Sequence, residues 1–377
     1  MAQGARNGLR ERDSGYPTEA PDRQSMFNAR LVNDPFGDPA LYLDLRYRRE
    51  ALLFDLGDIQ GLPPRMILKI DHIFVTHTHM DHFIGFDHLL RVCLGREKHL
   101  ALFGPPGFIG NVEGKLRAYT WNLVENYTND FRLIATEIHP DRTETAVFSC
   151  RQAFRPGMER REAPFDGTIL EREAYRVKGI FLDHRVPCLA FRLEEKRRVN
   201  VRKNALAEMG LPGGAWINSL KDSIHRNDPD DRSFRVWWKG QDRKIVERVL
   251  PLGELKEKIV KMTPGQKMVY ISDVIYSPGN AERIVELARG ADVLYIEACF
   301  LEEDRERAAD KYHLTALQAG HLARLAGVKR FVLFHHSPKY RGMEDRFEEE
   351  AMRAFLEEEG SGSGVQGPGE DTILPVP

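Results

Sequence analysis

Apolar residues along this chain come in short continuous blocks, separated by stretches in which they fall three and four positions apart. The blocks predict strands over Leu41 to Asp44, Ala51 to Phe54, His72 to Thr76, Leu100 to Phe103, Leu189 to Leu193, Met268 to Ser272, Val293 to Glu297 and Arg330 to Phe334. The helical spacing predicts helices over 81–94, 107–123, 279–289, 315–326 and 344–358. Strand and helix in alternation point to a layered α/β architecture. The two ends show neither period. Residues 1–28 read as a flexible extension and 360–377 as a disordered tail, which leaves 29–359 as the folded unit.

The segment 196–250 breaks the rhythm. It holds Gly210-Leu211-Pro212-Gly213-Gly214 and the tryptophans Trp216, Trp237 and Trp238. Between Lys196 and Arg248 it has thirteen Lys/Arg against seven Asp/Glu, an excess of +6 that leaves the remainder at −8 for a total of −2. This reads as an inserted arm. A local basic excess suits a phosphate backbone, although charge alone fits a solvated loop equally well.

With 377 residues, 42% of them hydrophobic, the chain can bury a sizeable core. No apolar run approaches the ~20 residues of a membrane span. The polar, charged start is unlike a secretory signal, so the expectation is a cytoplasmic protein that does not enter a membrane. Cys93, Cys150, Cys188 and Cys299 lie far apart without a CxxC pair. That suggests neither a disulfide framework nor a Cys-based zinc site, and predicts buried free thiols.

The chemistry concentrates in Phe74-Val75-Thr76-His77-Thr78-His79-Met80-Asp81-His82. Residues two apart on a strand share a side, so His77 and His79 can present two imidazoles to one point. Asp81 and His82 open the following helical segment and diverge from each other, which suits a second metal nearby. Further ligands would have to come from later strand ends, and His184, Asp273 and His335 each stand where a strand runs out. Taken singly, a loop histidine, a helix cap and a core histidine account for them as well.

These residues resemble the metallo-β-lactamase superfamily, whose signature is HTHMDH, and the run from Leu52 to Tyr340 resembles the ribonuclease Z family of tRNA 3′-processing endonucleases. The resemblance rests on Leu53-Phe54-Asp55-Leu56-Gly57-Asp58, Asp183-His184-Arg185-Val186-Pro187, Ile271-Ser272-Asp273 and Phe334-His335-His336-Ser337-Pro338-Lys339-Tyr340. It also rests on Glu297-Ala298-Cys299-Phe300, similar to a HEAT motif with Cys299 in place of threonine. His313-Leu314-Thr315-Ala316 is similar to an HST motif with Leu314 in place of serine.

The resemblance implies a four-layer αβ/βα sandwich with an inserted arm at 196–250. It implies two Zn2+ per subunit, other divalent metals being possible: one held by His77, His79 and His184, the other by Asp81, His82 and His335, with Asp273 bridging. His335 and His336 remain alternatives for the last ligand. Asp81, His313 and Glu297 would be catalytic, His313 as proton donor to the leaving oxygen and Glu297 orienting it. Asp55 and Asp71 would fix the ligand imidazoles. Lys196, Arg197, Arg198, Gly213, Gly214 and Lys221 of the arm would grip precursor tRNA, in a homodimer whose arms serve each other's sites. The implied reaction is removal of the tRNA 3′ trailer to leave a 3′-hydroxyl. The metal motif itself fits a phosphodiesterase for a small or cyclic substrate as well.

Overall fold

The computed structural model describes residues 26–357 apart from 47, 156, 158–159 and 241–243. The predicted tail 360–377, and the predicted extension up to residue 25, lie outside the described residues. The eight expected strands all form, each within two residues of its expected ends, and they divide between two sheets.

The first sheet has eight strands side by side in chain order: Phe27–Leu31, Leu41–Leu45, Ala51–Phe54, Ile70–Phe74, Lys98–Gly104, Phe131–Ile138, Arg142–Ser149 and Arg161–Pro164. Its central four are parallel and both margins are antiparallel. The second sheet runs Phe331–Phe334, Val293–Glu297, Lys267–Ile271, Pro187–Glu195, Tyr175–Asp183 and Thr168–Glu171, its first three strands parallel. Helices Phe86–Cys93 and Phe108–Arg117 pack outside the first sheet, and Pro278–Ala288, Ala316–Leu325 and Glu344–Leu356 outside the second.

Alternation decides which residues enter the layer between the sheets. Leu52 and Phe54 face inward while Ala51 and Leu53 face the outer helices. Phe54, Phe74 and Phe103 stack at 5.1 Å spacings and meet Phe191, Tyr270 and Phe334 from the opposite sheet. Truncating one such ring to alanine costs roughly 3–5 kcal/mol.

Strands Pro187–Glu195 and Lys267–Ile271 are neighbours in the second sheet, yet residues 196–266 intervene in the chain. The inserted segment closes on itself, because Arg197–Val201 pairs with Val260–Pro264. It also contains helices Lys203–Glu208, Trp216–His225 and Leu252–Ile259 and a hairpin of Ser233–Lys239 with Ile245–Pro251. Trp216, Leu220, Val236, Leu252 and Leu255 are fully buried in a core of its own. The segment is therefore a small folded module that ends near Pro264, and Trp216 is one of its core residues.

Candidate metal centre

The expected helix over 81–94 is broken in two, Met80–Phe83 and Phe86–Cys93, and the break positions the first four candidate ligands. Gly85 donates its N–H to Leu56 O at 2.9 Å, and a Cβ there would come within 2.1 Å of Gly57 O. Only glycine allows this close approach, which seats the HTHMDH turn against the Asp55–Gly57 loop.

Seven residues from several chain segments converge there. Asp273 lies in the middle, with its two oxygens facing different neighbours. Oδ2 is 3.7 Å from His77 Nε2 and 3.4 Å from His184 Nε2. Oδ1 is 3.4 Å from His82 Nε2 and 3.0 Å from His335 Nδ1. His79 joins the first group, its ring 4.3 Å from that of His77. Asp81 joins the second, 3.1 Å from His335 Nε2 and 3.5 Å from His82 Nε2. Each group, His77/His79/His184/Asp273 and Asp81/His82/His335, offers one donor atom per residue within 4.8 Å of the others.

His77 Nε2 and His82 Nε2 are buried without a hydrogen-bond partner although carboxylates stand nearby. Buried polar atoms are rarely left this way, and imidazole nitrogens aimed into a shared space beside a carboxylate are the donor set that a divalent cation completes. These residues fit a metal.

The opposite ring nitrogens are held by the protein. His82 Nδ1 is 3.0 Å from Asp55 Oδ2, and Asp55 also accepts from Thr76 N at 2.7 Å, Thr76 Oγ1 at 3.1 Å and the Tyr270 hydroxyl at 3.0 Å. His184 Nδ1 is 2.7 Å from Tyr312 O. His77 Nδ1 sits 3.0 Å from Thr76 Oγ1. Asp55 thus does what the resemblance implies. Asp71 does not: it lies at the start of its strand, far along from the ligand end, and pairs with Lys98 at 2.9 Å.

His335 and His336 are separated by backbone geometry. His335 has φ 63°, a left-handed conformation that turns its ring back into the cluster. His336 points into the outer core, stacked 3.8 Å from Phe347, with Nδ1 2.7 Å from Ala298 O. Of the two, His335 is in the cluster.

Beside it, Glu297 is fully buried, with both oxygens 3.2 Å from His313 Nδ1, and His313 is 4.0 Å from Asp273 Oδ2. The charges follow from these contacts. Burial, reinforced by the His82 charge, lowers His77 to about 2, so its ring is neutral. Burial also opposes charge on His335, but the Asp273 carboxylate outweighs it and raises His335 to about 10. His82 is likewise raised, by Asp273 and Asp55 against burial. Asp81 and Asp273 are lowered, against burial, by the same histidines. Glu297 raises His313 against burial.

The arm residues are divided. Lys196 and Arg197 line a groove of about 610 Å3 with Arg176, Arg192 and His225. Gly213, Gly214 and Lys221 line a separate one of about 1170 Å3 with Asn200 and Lys203. Lys196 is paired with Glu171, and Arg198 with Glu195 at 3.3 Å. Residues missed from the sequence are Thr76, Tyr270 and Tyr312. A tyrosine within an otherwise apolar strand, as Tyr270 is, was the available signal, since a buried hydroxyl needs a partner.

Comparison with known proteins adds to this geometry. A family profile described as a beta-lactamase superfamily domain matches residues 258–336. The ribonuclease Z of Deinococcus radiodurans is 29% identical over 323 residues, 84% of this chain and 92% of that one. This chain is similar to ribonuclease Z. The ribonuclease Z of Bacillus velezensis is also 29% identical over 323 residues, covering 82% of this chain and 86% of that one. The crystal structure of the short form of human tRNase Z aligns with a TM-score of 0.43 at 19% identity, over 83% of this chain and 93% of that one. The chain has the metallo-β-lactamase fold that its ligand motif implied, with helices outside two facing sheets. Among its described residues no helix is long and apolar enough to cross a membrane.

Proposed function

We propose that the chain is a metal-dependent endoribonuclease that cleaves the 3′ trailer from precursor tRNA, leaving a 3′-hydroxyl, and that it works in the cytoplasm as a homodimer. The observation that carries the reading is Asp273, which presents one oxygen to His77 and His184 and the other to His82 and His335. A carboxylate so divided suits two cations. His77, His79 and His184 would hold one, Asp81, His82 and His335 the other, and zinc fits a set of imidazoles and carboxylates. Bound there, two divalent cations would supply Lewis acidity, acidifying water and offsetting the charge of a phosphodiester.

The protein's own groups do the rest. Asp55, Tyr312 and Thr76 hold His82, His184 and His77 with their Nε2 atoms directed at the site. Glu297 keeps the His313 proton available to a leaving alkoxide, since its carboxylate stabilises the imidazolium. Curated relatives named ribonuclease Z support the nuclease reading over most of the chain. The folded insertion, with its groove lined by Lys203, Gly213, Gly214 and Lys221, offers a basic surface for a polynucleotide.

The test is cleavage of precursor tRNA by the zinc-loaded protein, with product ends analysed. Absence of cleavage alongside rapid hydrolysis of bis(4-nitrophenyl) phosphate would point to a phosphodiesterase for a small or cyclic substrate. Metal analysis of the purified protein and of Asp81→Ala tests the ligand set.

A further inference from the structure

Around the cluster, two exposed arginines differ from most nearby cations. Arg185 follows His184 directly, at φ 62°, with its N–H donated to Asp183 Oδ1 at 2.8 Å. Its guanidinium lies over the Tyr312 ring at 5.9 Å, and Tyr312 O is the group that holds His184. Arg307 lies over the Phe300 ring at 6.0 Å, and that ring is 6.2 Å from His313. One guanidinium thus lies over a ring beside His184 and the other over a ring beside His313, and these two histidine rings are 5.1 Å apart.

Neither arginine makes an ion pair among the described residues, whereas Lys339 is taken by Asp304 and Arg305 by Glu302 at 3.4 Å. A guanidinium over a ring and without an ion pair has N–H donors to spare, and its fork matches a phosphate bidentately. Such cations add nothing to ligation of a metal by imidazole and carboxylate. They suit a substrate with more than one phosphate.

We propose that Arg185 and Arg307 form a subsite for the substrate phosphates neighbouring the one being cut, so that the site itself prefers a polynucleotide to an isolated phosphodiester. This rests on the nuclease reading above and locates part of its substrate preference within the sandwich, apart from the inserted module. The cation–π contacts prepare each arm, since a side chain already laid on a ring loses less freedom on binding.

The experiment uses the zinc-loaded full chain and two variants, Arg185→Asn, because asparagine tolerates the left-handed backbone, and Arg307→Gln. A short oligouridylate is titrated as inhibitor of bis(4-nitrophenyl) phosphate hydrolysis at several salt concentrations, and zinc content is measured in each protein. Each substitution should raise the inhibition constant about tenfold relative to the KM for the small diester, the size expected of a lost charge-assisted contact. Each should also flatten the salt dependence by about 0.7 of a logarithmic slope. Inhibition constants that move no more than that KM overturn the subsite, as do variants that lose zinc in step with oligonucleotide inhibition. Wild-type protein that is inhibited by the oligonucleotide yet leaves precursor tRNA uncut would overturn the nuclease reading and leave the subsite standing.

Discussion

Asp55 Oδ2 stands 3.0 Å from His82 Nδ1, and both side chains are completely buried. The same carboxylate carries the Thr76 amide, the Thr76 hydroxyl and the Tyr270 hydroxyl, so it joins the turn of the first sheet to a strand of the second. Asp55→Asn replaces two acceptor oxygens with one and sets an amide N–H2 against existing donors. Zinc affinity should fall roughly 10–100-fold, as for other lost ligand-orienting partners, and the metal-free protein should lose about 1–3 kcal/mol from an unsatisfied buried donor. A zinc titration against a competing chelator and a denaturant melt check the two effects separately. An unchanged affinity would mean that His82 is not held by Asp55 for metal.

Protons and metal compete for the same nitrogens. In the metal-free protein His335 is raised to about 10, so its ring is doubly protonated at neutral pH, and Asp273 and Asp55 bias His82 in the same direction. Coordination needs the nitrogen free, so binding must expel a proton from His335. Affinity should therefore rise with pH throughout the neutral range and weaken steadily toward acid. Calorimetry of zinc binding in two buffers of different ionisation heat should show at least one proton released at pH 7. Binding without net release would remove His335 from the ligand set.

Glu297→Gln tests the proton donor. Glu297 raises His313, so the protonated ring persists to higher pH in the wild type. Without the carboxylate, the alkaline limb of the pH–rate profile should move to lower pH, and the rate should fall on the order of 100-fold. A slower variant with its alkaline limb unmoved would show Glu297 acting by another route and leave His313 without its assigned role.

On the module, Lys196 and Arg198 are engaged by Glu171 and Glu195, whereas Arg197 is exposed and makes no ion pair among the described residues. Replacing all three with alanine should flatten the salt dependence of tRNA binding by about one contact, a logarithmic slope near 0.9, rather than by three. Filter binding over a salt series reads this directly. A loss near three contacts would mean that tRNA breaks the internal pairs.

The sequence was most legible where a single physical rule decided the outcome. The blocks at Ala51 to Phe54, Met268 to Ser272 and Val293 to Glu297 are buried on both faces, and continuous apolar runs need no partner to be recognised. Phe131–Ile138 and Tyr175–Asp183 are harder to see because their apolar residues alternate with Arg132, Thr136, Arg176 and Lys178, so only every second residue carries the signal. The break at Gly85 was hidden because it answers to Gly57 of a distant loop, which periodicity does not register. The alternation rule would put His335 and His336 on opposite faces without saying which is which, and the left-handed φ of His335 decides it. The role that the resemblance implies for Asp71 fails because its place at the start of a strand, paired with Lys98, sets it apart from the ligand imidazoles.

Asp81 and His335 are 254 residues apart in the chain and 3.1 Å apart in space. A cation joining them would close one of the longest loops this polymer can form and, through His184 and Asp273, would rivet one sheet to the other. Its largest mechanical effect would then fall on the unfolded chain, whose freedom such a cross-link curtails as a long-range disulfide does. The centre that performs the chemistry would also be the fastening that keeps the sandwich shut, and a chelator would lower the protein's stability as well as remove its activity.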